Sequence, residues 1–566
     1  MPIHRRAILK GGFAAIAAAG LPGFALRAET SRPEMRVIPS SGVSIPVVGL
    51  GTWITFNVGT DPVLLDESVA VMAAFFEAGG TVIDSSPMYG SSQDTVGHGL
   101  AKLGYPPVFA ADKVWTPAGG DGREQIGDSR RKWGVPRFDL MQVHNLVDWR
   151  EHLETLFTMK AAGEIVHVGI TTSHGRRYEL LERIMREYPL DFVQLTYNIL
   201  DREPEERLLP LARDRGIAVM VNRPFRQKAL IRRFEGVALP DWADEIGVSS
   251  WAQLILKFIL SHPAVTVAIP ATTRIDHVRE NIAAAAGPAA ERSDAPAHGG
   301  PYPRVLMQEW WSYRPGDFLL FSPRTYWRLF QLANEALWPL QIPVLLIGAA
   351  ILAMLFRPRA WADRVIPAVL AAAWLSVSVG FLWMHYAPIN WAAIYFVPVF
   401  VGEGLIVLWL GTVRGRLAFA AERGVAGVIG IALYVYALAL HPLIALVAGR
   451  PLQAAEVVGI APDPTAIATL GLLSLAPRRA GTLPLILLPI IWCLASALTL
   501  RTMGASEGWI PLTAAALAVL AQAWPRRNGT CSTSDVAPDD QRRPVRGSAV
   551  VGRSGFPGVH APCRRQ

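Results

Sequence analysis

Four polar side chains with catalytic potential recur in the first third of the chain: Asp84, Tyr89, Lys113 and His144. Each closes or directly follows a short apolar run. A phenol is normally too weak an acid to donate a proton at neutral pH. An ammonium beside it favours the phenolate and so strengthens the acid. Lys113 can play that part for Tyr89, Asp84 can hold the ammonium, and His144 can orient a carbonyl oxygen towards the hydroxyl. The four types amount to a carbonyl-reducing site, provided a hydride donor lies beside them. Taken singly each has a plainer reading, as a cap or turn, a rim charge or a packed core imidazole.

Such a site requires consecutive strand ends at one rim. Short β-branched runs occur at 47–52, 81–85, 108–114, 140–144, 166–171, 192–197, 218–222 and 265–269. Between them lie stretches with helical spacing, such as 64–78 with Leu65, Val69, Val71, Met72 and Phe75. Eight apolar strands, each followed by a helix, over roughly 250 residues predict an α/β fold, a (β/α)8 TIM barrel with its chemistry at the C-terminal strand ends. No G-x-G-x-x-G follows the first strand, which weighs against a doubly wound open sheet.

The region from about Val37 to Ala290 resembles the aldo-keto reductase family. The resemblance rests on Gly49-Leu50-Gly51-Thr52-Trp53, on Asp84 with Tyr89-Gly90 after it, on Lys113, and on Val143-His144-Asn145. It rests also on Gly169-Ile170-Thr171-Thr172, on Gln194, and on Ile269-Pro270 followed by Arg279-Glu280-Asn281. It implies an NADPH-dependent reductase of an aldehyde or ketone, with Tyr89 as general acid, Lys113 and Asp84 tuning it, and His144 orienting the carbonyl. It also implies a cofactor cleft built from Gly51, Thr52, Trp53, Thr171, Thr172, Gln194, Asn222, Pro270, Thr272, Arg274, Glu280 and Asn281. The chain departs from the family pattern in places. Thr171-Thr172 replaces Ser-Asn, Val221-Asn222-Arg223-Pro224 replaces the segment with a stacking aromatic, and the Lys after Ile-Pro is absent. Arg274 is expected to take the 2′-phosphate, since guanidinium matches phosphate geometry, which favours NADP(H) over NAD(H). Trp53, Trp115 and Trp149 follow strand ends and are expected to wall an apolar substrate cleft.

Composition divides the chain. Of 566 residues, 51% are hydrophobic and 18% charged, too apolar for an ordinary soluble protein. Lysine stops at Lys257, and charge thins after about Trp338. The net charge of +8 is small for this length and forms no basic stripe, which excludes nucleic acid as a natural partner. Three dispersed cysteines exclude a disulfide framework and a clustered thiolate metal site, and no metal is expected. Residues 1–30 read as a signal peptide. Arg5-Arg6 followed by Ile8-Leu9-Lys10 resembles the twin-arginine (Tat) signal, which implies a bacterial protein exported folded by the Tat machinery.

Residues 291–306 read as an Ala/Pro/Gly linker, and 307–524 as an all-α polytopic transmembrane bundle. Its seven apolar stretches are 337–356, 365–386, 391–413, 425–448, 457–476, 483–500 and 509–524. Arginine follows the odd-numbered stretches (Arg357, Arg359, Arg364; Arg414, Arg416, Arg423; Arg478, Arg479; Arg526, Arg527), whereas the other loops carry only Arg450 and Arg501. The positive-inside rule puts those arginines in the cytoplasm and the barrel on the extracytoplasmic side of a bacterial cytoplasmic membrane, with the lipid bilayer as partner. Trp310-Trp311 and Tyr326-Trp327 suit the headgroup region. On the run from Trp310-Trp311 to Pro339, the chain over about Met307 to Trp524 resembles an uncharacterised family of polytopic bacterial membrane proteins, which implies a fusion. Glu403 in mid-span and Pro462-Asp463-Pro464, read as a break in the fifth stretch, mark a candidate cavity. Residues 525–566 read as a disordered tail.

Two other functions fit the same residues: a nucleotide-binding regulatory barrel, or an accessory domain of a membrane transporter. The charge bias generates a topological expectation. A reporter active only outside the cytoplasm should be active when fused within residues 295–300 and silent after Arg527, and replacing Arg5 and Arg6 by lysine should block export of the barrel.

Overall fold

The computed structural model describes residues 33–116, 121–286, 315–421, 424–477 and 484–524. The expected signal peptide, the linker, Trp310-Trp311, the tail, and Arg423, Arg478 and Arg479 lie outside the described residues.

A two-stranded antiparallel hairpin, β1 (Met35–Val37) and β2 (Ser44–Pro46), precedes eight parallel strands. These are β3 (Leu50–Gly51), β4 (Val82–Asp84), β5 (Phe109–Val114), β6 (Phe138–His144), β7 (Ile165–Thr171), β8 (Phe192–Thr196), β9 (Ala218–Asn222) and β10 (Val265–Ala268). Each pairs with the next in chain order. Gly49 N donates to Ala268 O (2.8 Å), Ala268 N to Val47 O (2.9 Å) and Gly51 N to Pro270 O (3.1 Å), which closes the sheet on itself. The strands are buried on both faces because helices cover the outside, the situation in which parallel strands read as continuous apolar runs.

Side chains alternate across each strand, so every second residue points inwards. The first inward residues are apolar: Val82, Phe109, Leu140, Phe192 and Ala218 form one cluster, capped from below by Ile38 and Ile45 of the hairpin region. Two or four residues further along the same strands the inward positions become Asp84, Lys113, Gln142, His144, Gln194 and Asn222. A dry lower barrel thus supports a polar upper rim.

Helices occupy all seven apolar stretches of the second half: Gln341–Phe356, Ala362–Tyr386, Ala393–Val413, Val425–Val447, Pro462–Leu475, Pro484–Thr502 and Trp509–Ala523. Among the described residues, four are long and apolar enough to cross a membrane: Ala362–Tyr386, Ala393–Val413, Val425–Val447 and Pro484–Thr502. Gln341–Phe356 reaches that length only when joined to Pro323–Leu337, from which it is bent by 92°. Pro462–Leu475 is buried along its whole length and is the central helix, packed so closely that a Cβ on Gly471 would lie 2.8 Å from Gly430 O. Pro462-Asp463-Pro464 does not break a helix, contrary to expectation. It starts one, because proline is tolerated in the first turn, where no intrahelical donor is lost. The Asp463 carboxylate accepts from Trp492 Nε1 (2.7 Å) and Ser496 Oγ (2.6 Å). Glu403 is buried, and its Oε1 has no hydrogen-bond partner.

The bundle docks on the barrel rim through buried groups. The Asn57 side chain, fully buried, donates to Leu320 O (2.9 Å) and Ile389 O (2.7 Å) of the bundle. Its Oδ1 accepts from Ser91 N (2.9 Å) and Ser91 Oγ (3.0 Å) in the loop after Tyr89. Asp61 caps the helix Pro62–Glu77 and receives both Arg328 Nε (2.6 Å) and Arg328 Nη2 (3.0 Å). The exposed Arg324–Glu67 pair (2.6 Å) adds little, since screened surface pairs contribute at most about 1 kcal/mol.

Barrel closure sets a steric limit at Gly51. A Cβ there would lie 2.7 Å from Ile269 O, and a backbone carbonyl in the closing seam cannot move aside. Gly51→Ala is expected to destabilise the barrel by about 1–3 kcal/mol, measured as a lowered thermal midpoint.

Candidate active site

Strands β4, β5 and β6 deliver Asp84, Lys113 and His144 to one rim, and the short 3-10 turn Pro87–Tyr89 brings Tyr89 over them. Lys113 Nζ lies 2.5 Å from Asp84 Oδ2 and donates to Ser85 O at 2.7 Å; both side chains are essentially sealed from solvent. Asp84 Oδ1 also accepts from Gln142 Nε2 (3.2 Å) and Gln194 Nε2 (3.0 Å). The ammonium stands 5.0 Å from the centre of the Tyr89 ring, which meets the His144 ring edge-on at 5.6 Å. The four residues singled out by type and spacing therefore converge.

Their electrostatics depart from the expectation in one respect. Lys113 does pull the Tyr89 hydroxyl towards acidity, but burial outweighs it and pushes the phenol up to about 12. Tyr89 is therefore held protonated across the neutral range, the form a proton donor requires. Burial works against the Lys113 ammonium, yet the adjacent Asp84 carboxylate holds it above its ordinary value. Burial, with help from Lys113, keeps His144 well below the ordinary 6.5 and so neutral.

Ser86 completes the arrangement. Its hydroxyl lies 2.7 Å from His144 Nδ1 and accepts from Met88 N at 3.2 Å. A Ser86 hydroxyl donating to Nδ1 leaves Nε2 as the protonated nitrogen, a donor for a carbonyl oxygen. Neither Ser86 nor Gln142 was singled out in the sequence. Their signal was positional: Ser86 directly follows the strand-end Asp84-Ser85, and Gln142 points inwards two residues before His144.

The expected cofactor positions lie along the adjoining strand ends. Thr171 Oγ1 donates to Gln194 Oε1 (2.8 Å), Thr196 Oγ1 to Asn222 Oδ1 (2.7 Å), and Asn222 Nδ2 to Thr172 O (2.9 Å). Thr172 Oγ1 is buried without a hydrogen-bond partner. An orphaned hydroxyl is costly unless something polar binds there, and a carboxamide has the right donors and acceptor. Thr52 Oγ1 donates to Asp84 O at 2.9 Å, which fixes the first loop against Asp84. Beyond β10, Pro270 O accepts the closing bond from Gly51, Thr272 Oγ1 accepts from Arg274 N (3.1 Å), and Asn281 is buried. Arg274 stands exposed at the start of the helix Ile275–Ala283, paired with Asp276. A phosphate there would compete with that carboxylate.

Of the three tryptophans, Trp53 stands beside Tyr89. The Trp53 ring lies 6.4 Å from that of Tyr89, with the Arg223 guanidinium 5.9 Å above Trp53. Trp115, two residues beyond Lys113, meets Trp391 of the bundle at 6.4 Å. Trp149 is a correction. It is buried in the shell of outer helices, edge-on to Tyr188 at 5.6 Å, because as the first residue of the helix Trp149–Ala161 it faces the helix–helix contact. No group of three or more His, Cys, Asp or Glu able to hold a metal occurs among the described residues.

Sequence comparison relates this parallel barrel to a known family. Residues 47–292 match the Aldo/keto reductase family, and residues 324–532 match a family of unknown function (DUF6064). The chain thus carries an aldo/keto reductase domain joined to a second, separate domain. The first domain is 28% identical over 259 residues to methylglyoxal reductase YeaE of Escherichia coli, covering 44% of this chain and 89% of that protein. It is 29% identical to the NADH-specific methylglyoxal reductase of the same organism, over 35% of this chain and 69% of the relative. A crystal structure of an aldo/keto reductase from Klebsiella pneumoniae in complex with NADP and acetate aligns with 43% of this chain and 87% of its own, at 26% identity and a TM-score of 0.38.

The depressed proton affinity of His144 links stability to pH. Its folded value lies below the unfolded one, so the stability tied to this residue is whole above the ordinary 6.5 and is lost as pH falls through the folded value. The thermal midpoint of the native sequence is therefore expected to fall more between about pH 7.5 and about pH 5 than that of His144→Gln.

Proposed function

We propose that this chain is a membrane-embedded, NAD(P)H-dependent reductase of an aldehyde or ketone. The observation that carries it is the convergence of Tyr89, Lys113, Asp84 and His144 at a rim whose next strand end holds the orphaned Thr172 hydroxyl. A nicotinamide cofactor held by Thr171, Thr172, Gln194 and Asn222 would supply the hydride. His144 Nε2 donates to the carbonyl oxygen and fixes its direction. The buried Tyr89 hydroxyl transfers its proton to that oxygen as negative charge develops there. Lys113, fixed by Asp84, stabilises the phenolate left behind and lowers the cost of the transfer. NADP(H) is the proposed cofactor; the NADH-specific relative makes NAD(H) the comparison to run.

Membrane embedding is supported by the four span-length helices and by the end of the bundle on which the barrel docks. The barrel contacts Leu320 and Ile389, the segments before the first expected span and between the second and third. Arg364 lies at the other end of the helix Ala362–Tyr386, bonded to Thr412 O at 2.9 Å. The arginine-rich loop and the barrel thus occupy opposite ends of one 25-residue helix. This is the arrangement that an extracytoplasmic barrel under the positive-inside rule requires. Export through the Tat route would allow the cofactor to be loaded before the barrel leaves the cytoplasm.

Methylglyoxal and simple aldehydes are the first substrates to test. Tyr89→Phe is expected to lower turnover by about 10²–10⁴-fold, because only the proton donor is removed, with NADPH binding by fluorescence titration nearly unchanged. Lys113→Met is expected to impair turnover as well. Near-native turnover in Tyr89→Phe would remove the assignment of the acid.

A further inference from the structure

We propose that the substrate is a lipophilic carbonyl compound whose apolar tail lies against Trp391, so that the bundle supplies one wall of the carbonyl pocket. This rests on the reductase reading above and narrows its substrate class. Trp391 belongs to the short connection between two span-length helices, Ala362–Tyr386 and Ala393–Val413. Its ring meets that of Trp115 at 6.4 Å, and Trp115 follows the catalytic Lys113 by two residues on the same strand end. On its other side Trp391 meets Tyr395 edge-on at 6.3 Å. Trp391 is 47% exposed, Ile394 44% and Tyr395 67%. An aromatic track therefore runs from beside the catalytic lysine to the outer flank of a helix end that, in a bilayer, lies at the headgroup level.

The track is fixed rather than incidental. Asn57 holds Ile389 O at 2.7 Å, two residues before Trp391, and the same side chain holds the loop that carries Tyr89. A Cβ on Gly90, next to Tyr89, would lie 2.4 Å from Asn57 Oδ1, so this corner has no slack. The bundle wall and the proton donor thus share one anchor. The wall is aromatic and aliphatic, so it offers a small polar carbonyl such as methylglyoxal nothing beyond the catalytic groups. For an alkyl tail it offers burial, worth roughly fourfold in binding per methylene.

The test uses the full-length chain in lipid nanodiscs with NADPH, comparing propanal with decanal. The expected kcat/KM for decanal exceeds that for propanal by roughly a hundredfold or more, from burial of several methylenes. Trp391→Ala should cut that ratio by about tenfold or more while leaving propanal within about twofold of the native value, and Trp391→Phe should keep the ratio. Trp391→Gln, which is larger than alanine but polar, should lose it as Ala does, so that a folding defect in one variant leaves the other to decide. Reduction of propanal with no chain-length preference, or a preference unchanged in both Trp391→Ala and Trp391→Gln, overturns this proposal and leaves the reductase reading standing. No NADPH oxidation with either aldehyde overturns both.

Discussion

Burying an ammonium beside a carboxylate inside a closed barrel carries a desolvation penalty of several kcal/mol per ion, and the Lys113–Asp84 pair is tolerable only because its surroundings complete it. Asp84 receives Lys113, Gln142 and Gln194; Lys113 also reaches Ser85 O. Those partners come from β5, β6 and β8 and from the end of β4, so the pair is satisfied only when the strands close in register. The site and the fold are therefore one constraint. Loss of either partner strands a buried charge, and the same charge lies 5.0 Å from the ring of Tyr89. In the proposed reaction, the interaction that is costly for folding is the one that would let a phenol pushed up to about 12 by burial release its proton.

A second constraint ties this rim to the bundle. Asn57 satisfies two bundle carbonyls and a serine in the loop after Tyr89 without exposing any of its polar atoms. In its place an apolar residue would leave Leu320 O and Ile389 O without this donor, each at a cost of about 1–3 kcal/mol. Asp61 works the same way, capping a barrel helix while pairing with Arg328 of the bundle. The two halves of the chain are thus joined by side chains that already serve local structure in the barrel.

What was legible in the sequence follows from this division. Strands β5 to β10 lie within two residues of their apolar runs, because a strand buried on both faces leaves an unbroken hydrophobic signal. Asp84, Lys113 and His144 stood out because a charged or ionisable residue at the end of such a run has to be accounted for. Asn57, Ser86 and Gln142 did not stand out, because a neutral polar residue near a turn is ordinary until its partner from a distant segment is known. Trp149 misled for a related reason. Position after a strand end does not say which side of the following helix a side chain faces. In the bundle, hydropathy marked the helices of all seven apolar stretches but not their lengths, nor the amphipathic helix Pro323–Leu337 that precedes them. Pro462, read as a break, is the first residue of a helix that is buried on every side and needs no apolar match to lipid thickness.

A cover over a reductase pocket must satisfy two demands that pull apart: excluding water while charge moves, and admitting substrate. A mobile loop meets both by opening and closing. On the proposed reading the cover would be the end of the helical bundle, which is held by Asn57 and by the Asp61–Arg328 pair, a contact with buried polar groups at its centre. Opening it would expose the unpaired Asn57 amide and the Asp61 carboxylate together, so hinge motion is the costly route. Access along the rim, past Trp115 and Trp391, breaks none of these bonds. The half-exposed tryptophan at the edge of a fixed cover then has a physical role. On the proposed reading it would keep the entrance apolar while the anchored interior stays dry enough for the Lys113 charge to act on Tyr89. The rigidity of the docking and the aromatic character of the rim are in this sense the same requirement seen from two sides.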